Sequence, residues 1–257
     1  MERKVKVAAV SYLNTKPLLY GLRNHPVMDM MELSVDYPAR IAQQLVDDEV
    51  DVSLVPVATI PRLKEHHIIT DYCIGAEGPV ASVCLFSDVP LTQIKRIYLD
   101  YQSRSSVALF KVLLREFWKL NVELVETSGD YEHLIQGTDA GVVIGDRALI
   151  QRHRSRYIFD LAEAWMRLTS KPFVFAAWIA NKELPAAFIA AFNDAVGIGI
   201  KHLPEVVAEN PFEPYDLVTY YTKNISFPLT PGKRQGLQRF LEYLEEDKSF
   251  IARNIPQ

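Results

Sequence analysis

The 257-residue chain has little cysteine, little histidine and no excess of positive charge, and each shortage removes a class of function. Its only cysteines are Cys73 and Cys84. Two thiols without a secretory pattern read as unpaired core residues in a reducing compartment rather than as a disulfide. The six histidines, His25, His66, His67, His133, His153 and His202, are scattered and keep no ligand spacing with the cysteines, so no metal site is expected. A formal net charge of −4 gives no basic surface for displacing counterions, which argues against nucleic acid or anionic membrane as partners. In the opening stretch "MERKVKVAAVSYLNTKP" the apolar run stops after "VAAV". That is too short for a signal peptide and far short of the roughly 20 apolar residues of a spanning helix, so a cytoplasmic protein is expected. No Gly-x-Gly-x-x-Gly turn follows the first strand, no Walker loop occurs, and no Gly-x-Ser-x-Gly elbow is found. The chain therefore reads as free of cofactor and metal.

What is present is an α/β pattern. A hydrophobic content of 49% is enough for a substantial core. Runs at 5–10, 31–37, 50–56 and 66–74 read as strands, with helices at 17–23 and 38–47 between the first three, a βαβαβ opening that implies a mainly parallel sheet. A second series places strands at 96–100, 122–126 and 140–145, with a helix over 105–118 whose Val107, Phe110, Leu113, Leu114 and Phe117 form one apolar face. Helices over 184–204 and 231–247 close the chain. The apolar segments 82–87 and 171–181 bracket the middle series and suit a pair of crossing strands. The expected architecture is two lobes, each a mixed, mainly parallel sheet flanked by helices, joined by a two-stranded hinge. Residues 1–87 and 178–257 would form the first lobe and 88–177 the second, with a ligand cleft between them.

The chemistry-bearing residues gather at predicted strand ends, where open α/β sheets hold ligands. After the first strand, Ser11 and Asn14 offer uncharged donors to an oxygen-rich ligand; equally, Asn14 or Thr15 caps the helix that Pro17 begins. Ser103, Arg104, Ser105 and Ser106 lie where the 105–118 helix starts, and free amides at a helix start attract anions. One cap needs one serine, so three together point to a carboxylate seat. Ser82 sits on a crossing strand and would face the cleft in a favourable register. Gly145 permits close backbone approach at another strand end, and Asp146 beside it suits a helix cap. Phe173 and Phe175 suit either core or an aromatic wall.

Read together, "VSYLNTKPL", "VDVSLVPVA", "DYCIGAEGPVASVCLFS", "LDYQSRSSVAL" and "GVVIGDRAL" resemble the chorismate dehydratase family of the futalosine route to menaquinone. The likeness runs through most of residues 5–180 and is weaker beyond. It implies the two-lobed fold of type II periplasmic binding proteins. It also implies a small dianionic substrate, chorismate, which would lose water without a cofactor to give 3-[(1-carboxyvinyl)oxy]benzoate. By the same resemblance Asn14 is the residue needed for chemistry. Ser11, Ser82, the Ser103-to-Ser106 segment, Gly145 and Asp146 belong to the binding cleft. Family members often carry threonine where this chain has Ser105, a change that keeps the hydroxyl. Two rivals share the scaffold: a solute receptor that closes on an anion without catalysis, and the sibling 1,4-dihydroxy-6-naphthoate synthase.

Overall fold

The structure, a computed structural model, describes residues 3–247. The ends of the expected first lobe, 1–2 and 248–257, lie outside the described residues. The first sheet begins as expected: β1 (Val5–Ala9), α1 (Lys16–Arg23), β2 (Met31–Val35), α2 (Pro38–Val46) and β3 (Val52–Pro56), with β1 parallel to both β2 and β3. Prolines start both helices, Pro17 in α1 and Pro38 in α2, where the missing N–H has no helical partner to lose. β4 (His67–Ala76) follows a 3-10 turn, Val57–Arg62.

The chain then enters a second sheet with β5 (Val83–Ser87), β6 (Arg96–Leu99), α3 (Arg104–Leu113), β7 (Glu123–Glu126), β8 (Asp139–Ile144), α4 (Gly145–Gln151), β9 (Tyr157–Asp160) and α5 (Leu161–Thr169). It returns with β10 (Phe173–Ala180), α6 (Ala186–Lys201), α7 (Leu203–Glu209), α8 (Leu217–Thr219), β11 (Ser226–Pro228) and α9 (Pro231–Glu246). The six-stranded sheet has the order β11-β4-β10-β3-β1-β2, and the five-stranded sheet β7-β6-β8-β5-β9.

This topology corrects the expected hinge and boundaries. The strand at 82–87 is not a connector but the fourth strand of the second sheet, antiparallel to β8 and β9. The strand at 171–181 belongs to the first sheet, antiparallel between β3 and β4. The chain passes between sheets in the short segments 77–82 and 170–172, so the second sheet takes 83–87 and gives up 173–177. Parallel pairing is confined to β2-β1-β3 and β7-β6-β8. β5, the first strand after one crossing, and β10, the first after the other, each run against both neighbours.

Two helices also differ. The helix expected over 105–118 widens after Leu113 into a π-turn, Leu114–Trp118, closed by Lys119 at φ 53°. The one expected over 184–204 ends at Lys201, because Pro204 can start a helix but not continue one; it lies in the first turn of α7.

The halves share an aromatic seam near the return crossing. Trp165 of α5 meets Phe173 of β10 edge to face at 5.3 Å and Phe240 of α9 at 6.1 Å. On the opposite flank, α1 and α6 touch backbone to backbone. A Cβ on Gly21 would lie 2.0 Å from the Ala195 carbonyl oxygen, so only glycine admits this contact.

Candidate active site

In both sheets the carboxyl ends of the parallel strands face one another across a cleft, and the helices that follow them start there. The cleft is lined by residues of both sheets, the setting in which small-molecule sites occur. The beginnings of α1, α2, α3 and α4 all reach its wall, through Asn14, Pro38, Ser103 with Ser106, and Gly145. Helix starts carry positive dipole ends, so the wall favours anions. Among the described residues, no lysine, arginine, histidine, aspartate or glutamate lines the cleft.

Asn14 lies in the 3-10 turn Leu13–Thr15 at the end of β1 and lines the cavity. It does not cap α1: neither the turn nor the helix has a side-chain cap. Its Oδ1 accepts from the Thr15 hydroxyl at 3.1 Å, which leaves the amide N–H₂ as donor toward the space. Ser82 lies at the end of the crossing, on the wall, with its hydroxyl 2.8 Å from the Tyr220 phenol.

The serine segment divides its work. Ser103 caps α3, accepting from the Ser106 N–H at 3.2 Å and donating to the Ser106 hydroxyl at 2.9 Å; both serines line the cavity. Ser105 is fully buried and faces the other way, accepting the Ala58 N–H at 2.8 Å. It ties α3 to the turn after β3 and leaves the wall to its neighbours. Arg104 is exposed and also off the wall.

Ser11 and Asp146 depart from their expected positions too. Ser11 is exposed, accepts from Lys16 Nζ at 3.2 Å, and borders a shallower outer hollow that shares Tyr12 and Gln102 with the main cavity. Asp146 neither lines the cavity nor caps α4. Its carboxylate reaches across the cleft to accept the Leu13 N–H at 3.1 Å. Burial pushes this carboxyl above the usual range, against the pull of the Leu13 amide and Lys16. Gly145 does line the wall, at φ +65°, a conformation that favours glycine; its N–H donates to the Ser82 carbonyl at 2.7 Å. Of the aromatic pair, Phe173 is core and Phe175 is wall.

Three groups were not singled out from sequence. Tyr12 donates to Gln102 Oε1 at 2.5 Å across the cleft, and both line it. Gln102 directly precedes Ser103 in "LDYQSRSS", so its place at a strand end was a usable signal. Behind it, Asp100 accepts the Gln102 N–H at 2.7 Å, the Tyr131 hydroxyl at 2.9 Å and Arg147 Nη2 at 2.7 Å. Burial raises the pKa of the Asp100 carboxyl even beside Arg147. Tyr220 and Tyr221, far along the chain, bond to Ser82 and to the Leu13 carbonyl, the latter at 2.9 Å. They carry no sequence pattern that marks this role.

A model of a menaquinone-biosynthesis family matches residues 5–246. A chorismate dehydratase from Thermus thermophilus is 29% identical, with 91% of this chain and 92% of that protein covered. Among solved structures, a protein from Archaeoglobus fulgidus superimposes with a TM-score of 0.76 at 13% identity, covering 95% of this chain and 97% of that one. A Candida albicans protein described as having the generic periplasmic binding protein fold gives 0.64 at 15% identity, covering 98% and 94%. An alkanesulfonate-binding protein from Xanthomonas axonopodis gives 0.61 at 11%, covering 99% and 94%. At these identities the structures show a shared fold, that of periplasmic binding proteins.

Proposed function

Because the chain belongs to the menaquinone-biosynthesis family, whose model spans nearly all of it, we propose that it is a chorismate dehydratase, a cofactor-independent hydro-lyase. The observation that carries this reading is the composition of the cleft: uncharged donors and helix starts for anionic oxygens, and carbon surfaces for a ring.

Chorismate is a dianion, and the reaction removes the ring hydroxyl together with the proton on the neighbouring ether-bearing carbon. The elimination is redox-neutral and makes an aromatic ring, so the protein needs to orient the substrate and manage one proton. Ser103, Ser106 and the first amides of α3 seat a carboxylate. Leu54, Pro56 and Phe175 supply the apolar surface. Asn14 donates to the departing hydroxyl or to the charge that spreads into the ring carboxylate after proton loss. Among the described residues, Tyr12 is the titratable group on the wall, and burial, with Asp100 next, pushes its pKa up, so it stays protonated. In this reading the substrate's own side-chain carboxylate, folded over the ring, takes the proton and delivers it to the departing hydroxyl, so that the C–O bond breaks with loss of water and the carboxylate is restored, with proximity provided by the cleft.

The test is to mix metal-stripped protein with chorismate and follow products by chromatography and mass. A product lighter by one water is expected. Chorismate held intact would favour the solute-binding reading, and turnover restricted to a cyclic futalosine derivative would favour the sibling synthase.

A further inference from the structure

Ser82 is held on the wall through both of its backbone polar groups. Its N–H donates to the Val80 carbonyl at 2.8 Å and its carbonyl accepts from Gly145 at 2.7 Å. Ala81 before it has φ +64°, a left-handed conformation that costs a non-glycine residue about 1 kcal/mol or more. Two side chains of the second sheet impose it: Asp160 accepts the Ala81 N–H at 2.8 Å, and Arg152 donates to the Ala81 carbonyl at 3.2 Å. The remaining freedom of Ser82 is rotation of its hydroxyl.

Tyr220 removes that freedom. Its side chain is fully buried and its hydroxyl lies 2.8 Å from Ser82 Oγ, 138 residues away in sequence. Among the described residues this phenol has no other hydrogen-bond partner, and a buried O–H that found no acceptor would cost about 1–3 kcal/mol. It must therefore donate to Ser82. The local fold serves this contact: α8, capped by Asp216, opens into a π-turn, Tyr220–Asn224, which sets Tyr220 on Ser82 and Tyr221 on the Leu13 carbonyl. π-turns are frequent at functional sites.

We propose that Tyr220 is a positioning residue that orients the Ser82 hydroxyl, so that Ser82 meets the substrate as a hydrogen-bond donor. The phenol occupies an acceptor lone pair of Oγ, and accepting that bond polarises the Ser82 O–H that points to the cavity. A donor of this kind suits a carboxylate oxygen or a departing hydroxyl. The proposal rests on the dehydratase reading above.

The experiment is a double-mutant cycle on chorismate dehydration with wild type, Tyr220→Phe, Ser82→Ala and the double variant, each with its thermal midpoint. Tyr220→Phe keeps the buried ring. It is expected to lower kcat about tenfold with KM changed by less than about twofold, the size of one oriented hydrogen bond. In the Ser82→Ala background it should cost almost nothing further, because there is no hydroxyl left to orient. Replacing Tyr220 by 3-fluorotyrosine, a stronger donor of nearly the same shape, should hold kcat at or above wild type and decides the matter if the phenylalanine variant is unstable. Additive losses in the cycle, or a kcat that falls with fluorination, would overturn the role of Tyr220 while leaving an active dehydratase. An inert wild type would overturn the functional reading and this proposal with it.

Discussion

The two walls of the cleft are built from the same kind of strand end, yet they present different chemistry. The first sheet contributes mostly carbon: Val10, Pro38, Leu54, Pro56, Ile74 and Phe175, with Asn14 as its strongest donor. The second contributes hydroxyls and amides, from Gln102 and Ser103 through Ser106 to Gly145. The division teaches that holding and reacting are separable. Under the dehydratase reading, a ring would lie against carbon with one well-placed amide, while the charge would be anchored opposite by groups that need carry no charge of their own.

The comparison is most easily broken at Asn14. If it is the reacting wall's essential donor, Asn14→Ala should lower kcat by about 10²- to 10³-fold, the usual loss on removing one donor that meets developing charge. A rise in KM alone would make the first wall a binding surface like the second. A smaller effect concerns the bond between the walls. Ser105→Ala should leave the buried Ala58 N–H without its partner and cost about 1–3 kcal/mol of stability. A lowered thermal midpoint with kcat within about twofold of wild type is expected, as the Ser105 hydroxyl faces away from the cavity. The smallest change sharpens the anchoring wall itself: Ser106→Ala should raise KM by about tenfold, roughly 1.4 kcal/mol, with little change in kcat. A kcat loss as large as that of Asn14→Ala would erase the distinction between the walls.

Much of this arrangement was legible in the chain. The periodicity of residues 5–56 placed three strands and two helices within a residue or two, because each apolar run must be buried on a sheet and Pro17 and Pro38 suit the first turn of a helix. The same reasoning could not place β5 and β10 in their sheets. An apolar extended run states that it is buried on both faces; it does not state between which neighbours. Among the expected site residues, Asn14, Ser82, Ser103, Ser106 and Gly145 line the cavity, where the strand ends meet. Ser105 and Asp146 were misplaced for a shared reason: each spends its side chain on a backbone N–H of the opposite sheet, Ala58 and Leu13. Such partners are fixed only by how the sheets meet. Tyr220 was invisible on the same grounds.

The position of β10 has a consequence for the order of events during synthesis. It is an inner strand of the first sheet, lying between β3 and β4, yet it is made only after the whole second sheet. While the ribosome is still translating residues 88–172, the β2-β1-β3 ribbon and β4 each present an open edge of unpaired backbone groups. The nascent first sheet has a slot at its centre, and the emerging β10 must find both sides of it at once. Completion of the older half waits on the younger one, which ties the birth of the cleft to a strand made after both of its neighbours.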